Sequence, residues 1–88
     1  MKICFMHIRR SGDEVNKGGA TVAMEVNDKN LVTAYATSWC HPHDNFCRRT
    51  GRVKAEGRLK SARYRVDASQ IPLTREEVYE AVAIQVVP

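Results

Sequence analysis

Alternating hydrophobic and polar positions in the first half of the chain predict three β-strands. Residues 2–8 form a short apolar run, and residues 20–26 alternate with a period of two, which is typical of a half-buried strand. The turn-forming residues 27–30 separate this strand from residues 31–40, which are rich in β-branched and aromatic side chains. Since the connections around residues 11–19 and 27–30 are short, we expect an antiparallel meander.

A basic helix is predicted after the third strand. Pro42 is expected to end the strand, Asp44 to act as the N-cap, and the helix to extend to about Ala62. Gly51 and Gly57 each cost about 1 kcal/mol relative to alanine inside a helix, so we expect a close backbone approach, to protein or to ligand, at both. One helix face carries mostly small side chains suited to packing on a sheet: Cys47, Gly51, Ala55, Leu59 and Ala62.

The C-terminal segment begins with a helix-start signal. Thr74 and Glu77 are spaced as a capping box, and Leu73 and Val78 as its hydrophobic staple. Residues 82–87 suit either the end of this helix or a strand, because short apolar runs fit both. The predicted fold class is therefore α+β: a three-stranded antiparallel meander packed against a basic helix, with a short C-terminal helix or strand.

Length and composition predict one folded domain that spans residues 1–88. The chain is 43% hydrophobic and 27% charged, as in ordinary globular proteins, and a core of this size is only marginally stable, so we expect a homo-oligomer. A second helix stripe is expected to be covered by another subunit: Phe46, Thr50, Val53, Gly57 and Tyr64.

Two further features bear on where the protein works. No apolar run reaches the roughly 18 residues of a membrane span, and the N-terminal run is too short for a signal-peptide core. The three cysteines cannot form a closed set of disulfides, which favours a reducing compartment. We therefore expect no membrane association, no export, and a cytoplasmic location.

The positive charge is concentrated in one segment. Residues 48–65 contain eight basic residues and one acidic residue, a local net charge of +7, whereas the rest of the chain carries a net charge of −3. Most of these residues are arginines, whose planar guanidinium groups bind phosphate through two hydrogen bonds. The segment predicts a phosphate-bearing partner, and a solvated helix face is the alternative.

Residues 40–47 contain four potential zinc ligands, Cys40, His41, His43 and Cys47, but Cys4 and His7 are the only candidates for a second pair. We favour the alternative that Cys40 and Cys47 are small buried hydrophobic residues beside a turn, with no metal and no cofactor. A catalytic thiol is also disfavoured, because Cys47 lies on the packing face of the helix and the sequence assigns no base to it. We therefore expect no enzymatic activity.

The start of the basic helix is the strongest candidate site. Phe46 offers a ring for a base to stack on unless it belongs to the core, Asn45 offers contacts to base edges, and free backbone N–H groups favour an anion. Arg48 and Arg52, one turn apart, are placed to clamp one phosphate. Arg58 borders the helix face of small side chains, which is an unusual position for a charge and predicts a partner that neutralises it. The candidate ligand-binding residues are Asp44, Asn45, Phe46, Arg48, Arg49, Gly51, Arg52 and Arg58.

The motif CHPHDNFCRRTGRVKAEGRL at residues 40–59 resembles the pattern C-x-P-x-D-x-F-x-R-x-x-G-R-x-x-A-x-G-R-L of small phage-encoded proteins. Some of these proteins resemble the Thoeris anti-defence sponges, which bind cyclic ADP-ribose signals or other cyclic nucleotides and so disarm host immunity. The resemblance covers residues 18–59. It implies a homo-oligomer of α+β subunits that binds nucleotide without cleaving it, at sites near subunit boundaries. The motif positions that carry over are Asp44, Phe46, Arg48, Gly51, Arg52, Gly57 and Arg58.

These observations lead to one main hypothesis and two alternatives. The main hypothesis is a phage anti-defence protein that sequesters a small nucleotide immune signal in the host cytoplasm, with Arg48 and Arg52 making its strongest phosphate contacts. One alternative is a nucleic-acid-binding protein whose basic helix follows a phosphate backbone. The other is an inhibitor that docks the same helix on an acidic host protein.

Overall fold

The computed structural model describes residues 2–9 and 17–85, so residues 11–16 of the predicted loop lie outside the described part. A four-stranded antiparallel sheet in the order β1-β2-β3-β4 forms the centre of the fold. The strands are β1 Lys2–Ile8, β2 Lys17–Val26, β3 Val32–Asn45 and β4 Val66–Asp67. Two helices complete the α+β fold, α1 Arg48–Leu59 and α2 Arg75–Ala83. The predicted fold class is confirmed, and the short β4 adds a fourth strand to the meander.

The hairpin between β2 and β3 turns at the predicted residues. The Asn27 side-chain oxygen accepts hydrogen bonds from the backbone N–H groups of Lys29 and Leu31, at 2.9 and 3.0 Å. Asn30 adopts a left-handed φ of 63°, which asparagine tolerates better than most residues. This turn sets the register of the following ladder.

The two faces of the sheet carry separate cores. On one face, Val78 and Val82 of α2 pack in a cluster that includes Val22 and Met24 of β2. On the other face, α1 packs against β2 and β3 through a cluster of small side chains and one leucine: Ala23, Ala34, Ala36, Ala55 and Leu59. Because four of these five residues are alanine, the helix lies close to the sheet.

The predicted capping box at the start of α2 is confirmed. The Glu77 backbone N–H donates to Thr74 Oγ1 at 3.1 Å, and the Thr74 N–H donates to Glu77 Oε1 at 3.0 Å. The helix continues through Ala83, so residues 82–83 are helical, and Ile84 is its C-cap. Residues 86–87, the rest of the segment with two possible assignments, lie outside the described residues.

The junction between β3 and α1 differs from the prediction. Pro42 does not end the strand, and Asp44 lies within β3, so Cys47 is the N-cap of α1. The ladder to β2 passes from Gly19↔Cys40 to Lys17↔Asn45 with a shift of register. Proline is tolerated at such an irregularity because no regular ladder bond requires its missing N–H.

The predicted packing face of α1 is correct only in its centre. Ala55 and Leu59 are fully buried, but Cys47 and Ala62 are exposed, and the helix ends at Leu59 rather than Ala62. In the described chain, the side chains of Val53 and Tyr64 on the second stripe are 69% and 51% exposed. The homo-oligomer expected to cover this stripe stays a prediction.

The two helix glycines have different surroundings. A Cβ atom at Gly51 would lie 2.9 Å from Thr21 Cβ and closer still to Thr21 Oγ1, which confirms the close approach predicted there. A Cβ atom at Gly57 would meet no described atom within 4 Å, so no close approach within the described chain explains this glycine, and an approach to a ligand stays a prediction. None of the described helices combines the length and the apolar character that crossing a membrane would require.

Candidate functional site

A groove of about 350 Å³ lies between the end of β3 and the first two turns of α1. This volume falls within the range of roughly 300–1,000 Å³ found for small-molecule sites. The hydroxyl-bearing residues Thr21 and Ser38, paired in the β2–β3 register and almost fully buried, form part of its wall. The remaining wall residues are Trp39, Cys40, His41, Asp44, Asn45, Phe46, Cys47, Thr50, Gly51 and Lys54.

Helix α1 contributes one of its faces to the groove. Cys47, Thr50, Gly51 and Lys54 follow the spacing that places side chains on the same side of a helix. Gly51 lets the helix approach Thr21 closely, which sets the distance between the two walls. Among the described wall residues, Lys54 and His41 are basic and Asp44 is acidic, so Lys54 supplies the permanent positive charge.

The N-terminus of α1 opens at one end of the groove. In the described structure Cys47 makes no side-chain capping hydrogen bond, and the first turn contains no acidic residue. The first backbone N–H groups of a helix have no partner within the helix and carry part of the positive end of its dipole. An anion is therefore favoured electrostatically at this end of the groove.

Cys40 and Cys47 are not the buried residues that the sequence predicted. Cys47 is exposed, and Cys40 is half-buried with its thiol donating to the carbonyl oxygen of Asp44 at 3.5 Å. The Thr50 hydroxyl donates to Cys47 Sγ at 3.3 Å, and this bond is the main cause that lowers the pKa of the Cys47 thiol from its ordinary 9.0. The burial argument against a reactive thiol therefore does not hold.

A basic cluster surrounds Phe46 on the β1 side of α1. The His7 ring meets the Phe46 ring edge to face at 5.6 Å between centroids, and the Arg9 guanidinium lies 4.6 Å from the Phe46 centroid. Burial, and next the positive charges of Arg48, Arg52 and Arg9, lower the pKa of His7 below 6.5. Phe46 is half-buried between this cluster and the groove, so it is neither plain core nor a free platform.

The arginines at the start of α1 have no neutralising acid among the residues described. Between residues 48 and 65, the salt bridges in the described structure are Lys60–Glu56 at 3.2 Å and Arg65–Glu25 at 2.9 Å. The side chains of Arg48, Arg49 and Arg52 are all exposed. Within the described chain, their charge therefore contributes a positive potential around the end of the groove.

The structure divides the predicted site residues into two groups. Asp44, Asn45, Phe46 and Gly51 lie together in the groove wall, whereas Arg48, Arg49, Arg52 and Arg58 do not line it. Arg58 Nη1 donates to the Thr37 carbonyl oxygen at 2.9 Å, and its guanidinium lies 5.3 Å from the Tyr64 ring. This carbonyl and this ring hold the guanidinium group in place but do not neutralise its charge, so the neutralising partner expected for Arg58 stays a prediction.

Sequence reasoning missed part of the groove because it depends on strand register. Thr21, Ser38 and Trp39 come together only once β2 and β3 are paired, and Arg9 joins the site only through β1. The sequence prediction also omitted Lys54 from the site. Its helical spacing from Cys47 and Gly51 was a signal that would have placed it there.

The zinc alternative for residues 40–47 is tested only in part. Among the described side chains, no group of three or more His, Cys, Asp or Glu residues is arranged to hold a metal ion. The side chain of His43, one of the four candidates in the zinc alternative, lies outside the described part.

The titration of His7 provides a test of the basic cluster. We expect an NMR titration of the His7 ring to give a midpoint below 6.5, because burial and three nearby cations disfavour the charged imidazole. His7 of the unfolded chain then takes up a proton at higher pH than His7 of the folded chain. Neutral His7 therefore contributes to the free energy of unfolding in full above pH 6.5, and this contribution is lost as the pH falls through the pKa of the folded chain. Arg48→Gln should raise the midpoint. A wild-type midpoint above 6.5 would contradict the cluster.

Comparisons of the chain with protein-family models, curated proteins and solved structures found no match. The functional assignment therefore depends on the geometry of the groove and on the sequence motif.

Proposed function

We propose that this protein binds a small nucleotide in the groove between β3 and α1 and sequesters it without cleaving it. The observation that carries the proposal is the composition of the groove wall: Lys54 and an uncapped helix N-terminus lie in the same cavity as the Phe46 ring. Cations and free N–H groups recognise phosphate, and an aromatic surface suits a base.

Each wall residue has a role in this proposal. Lys54 and the first N–H groups of α1 bind the phosphate, and Phe46 contacts the base or sugar. Asp44 and Asn45, whose side chains are exposed in the wall, offer acceptors and donors to base edges and ribose hydroxyls. Arg48 and Arg52 act from the β1 side of the helix by attracting the anion through solvent.

Cys47 is the wall residue that bears most directly on cleavage. The Thr50 hydroxyl donates to its thiol and is the first cause of its lowered pKa, followed by hydrogen bonding from the backbone of Thr50. Nucleophilic catalysis activates a thiol either through a lowered pKa or through a positioned base that a third group orients. The structure supplies the first of these features, so binding without cleavage rests on the resemblance of residues 40–59 and is tested by recovering the ligand intact.

The biological role in this proposal follows the resemblance of residues 40–59 to phage-encoded proteins. The ligand is then a nucleotide immune signal of the host, of the cyclic ADP-ribose type or a cyclic oligonucleotide, and the protein acts as a homo-oligomeric sponge in the host cytoplasm. Sequestration alone is sufficient to prevent such a signal from reaching its receptor.

Calorimetric titration with a nucleotide panel tests the proposal. The panel contains cyclic ADP-ribose, cyclic di- and trinucleotides, and the four nucleoside 5′-monophosphates. We expect at least one member to bind with a dissociation constant in the micromolar range or below, and heat denaturation to release it intact, as measured by mass spectrometry. No heat with any member, or recovery of a cleaved ligand, would overturn the proposal.

One observation favours nucleic acid binding as a second candidate. Arg49 and Lys60 are exposed outside the groove, near opposite ends of α1, a helix of 12 residues and thus about 18 Å long. Such spacing suits several phosphates of one backbone. Salt separates the two candidates, because backbone binding weakens with a log–log slope near −0.9 per phosphate contact, whereas a pocket with one phosphate responds weakly.

A further inference from the structure

A second cavity, of about 240 Å³, lies along β3 on the face of the sheet that carries α2. Tyr35, Thr37 and Trp39 pair with Met24, Val22 and Ala20 of the α2-facing core, so their side chains share that face. Tyr64 adds a third aromatic ring to the wall. The strand β4 pairs only with Ala34 and Tyr35 of β3, so the described ladder leaves the following residues of β3 without a strand on this side.

Trp39 connects the second cavity to the first. This side chain is 42% exposed and belongs to the wall of both cavities. The two cavities therefore share one wall residue, and beyond β4 this residue lies on the strand edge that the described ladder leaves unpaired.

Positive charge lies beside the second cavity, next to its wall residue Tyr64, although no described residue of the wall itself is charged. Arg58 is fixed by its hydrogen bond to the Thr37 carbonyl, and the guanidinium groups of Arg58 and Arg63 lie 5.3 and 5.5 Å from the Tyr64 ring. None of the described residues in the cavity wall is acidic. Aromatic rings beside guanidinium groups are the combination that binds bases and phosphates of single-stranded nucleic acids.

We infer that the preferred ligand is an oligonucleotide with at least two bases, one in each cavity, whose connecting phosphodiester passes Trp39. This inference rests on the proposed function, because it assumes that the first cavity binds a nucleotide. A second copy of the chain, which the sequence predicts over the stripe that includes Tyr64, is the competing occupant, and the like charges of the two copies would oppose it. The cations instead complement an anionic ligand.

Fluorescence of Trp39, the only tryptophan of the chain, tests the inference. The probes are the four nucleoside 5′-monophosphates and the four corresponding linear homodinucleotides. We expect at least one dinucleotide to change Trp39 emission and to bind about tenfold more tightly than its monophosphate, because stacking of one more base contributes roughly 1–3 kcal/mol. Tyr64→Leu should remove most of this advantage and leave monophosphate binding unchanged.

Tyr79→Leu is the matched control, because Tyr79 is similarly exposed, at 47%, and lines neither cavity. Equal affinities for mono- and dinucleotides, or equal effects of the two tyrosine substitutions, would overturn the inference and leave the proposed function intact. Sedimentation that shows Tyr64→Leu dissociating a dimer, with unchanged dinucleotide affinity, would overturn it in favour of a second copy. Failure of all probes and of the cyclic panel would overturn the proposed function itself.

Discussion

Replacing Gly51 with alanine is expected to destabilise the fold by about 1–2 kcal/mol, whereas the same replacement at Gly57 is expected to stabilise it by about 0.5–1 kcal/mol. Both glycines lie inside α1, so the intrinsic helix propensity gained is the same at the two positions. The difference between the variants therefore measures the packing of α1 on the sheet.

The opposite signs follow from what the new methyl group meets. At Gly51 it would overlap Thr21, which is 1% exposed and whose Oγ1 lies 3.1 Å from His7 Nδ1. Thr21 is β-branched, buried and hydrogen-bonded, so it has little freedom to move aside. Overpacking typically costs 1–3 kcal/mol, and because Thr21 has so little freedom we expect about 2–3 kcal/mol here, which leaves a net loss of about 1–2 kcal/mol after the gain of about 1 kcal/mol in helix propensity. At Gly57 no described atom opposes the methyl group.

Urea unfolding of the two variants and the wild type, followed by circular dichroism, measures these changes. Equal stabilisation by both substitutions would show that α1 does not approach Thr21 closely in solution. Because Gly51 lines the groove, Gly51→Ala should also weaken nucleotide binding, and Gly57→Ala should leave it unchanged.

The contrast between the two glycines illustrates how far the sequence determines this fold. Strand alternation, the turn around Asn27 and the capping box at Thr74 are local patterns, and the structure confirms each of them. Helical spacing also marked Ala55 and Leu59 correctly as packing residues. A local pattern does not distinguish Gly51 from Gly57, because only the position of β2 under the helix makes one of them crowded.

The junction between β3 and α1 was mispredicted for a similar reason. Pro42 and Asp44 are strong local signals for a strand end and a helix start, yet pairing of Lys17 with Asn45 extends β3 past both. This tertiary pairing also places Asp44 and Asn45 in the groove wall rather than in the first turn of the helix. Asp44 and Asn45 therefore belong to the candidate site as predicted, but they lie at the end of a strand and not at the start of the helix.

The basic residues show most clearly which features of the site the sequence does not determine. The number of arginines predicted an anion site near the start of α1. The helix, however, directs the basic side chains of this segment to two different sides. Lys54 faces the groove, whereas Arg48 and Arg52 lie on the β1 side, where their charges lower the pKa of His7. The sequence favoured Arg48 and Arg52 as the phosphate clamp, and the geometry favours Lys54.

Removing the charge of Lys54 is therefore expected to have the largest effect on nucleotide binding. A hydrogen bond to a charged group contributes about 1.5–3 kcal/mol, so Lys54→Ala should raise the dissociation constant by roughly 10- to 150-fold. A charge that acts through water over roughly 10 Å contributes only about 0.4 kcal/mol, so Arg48→Ala and Arg52→Ala should each raise it about twofold. Calorimetry on the best ligand of the nucleotide panel measures all three.

Lys60→Ala is the control, because it removes the same charge from an exposed residue that lines neither cavity and pairs with Glu56. It should change the dissociation constant by less than twofold. Raising the salt concentration should reduce the effects of Arg48 and Arg52 before that of Lys54, since salt screens charges that act across solvent more strongly than a charge in direct contact with the ligand. A greater loss of affinity in Arg48→Ala and Arg52→Ala than in Lys54→Ala would move the phosphate to the β1 side of α1, beside His7 and Arg9. The groove would then no longer be the nucleotide site, and the clamp expected from the sequence would replace it.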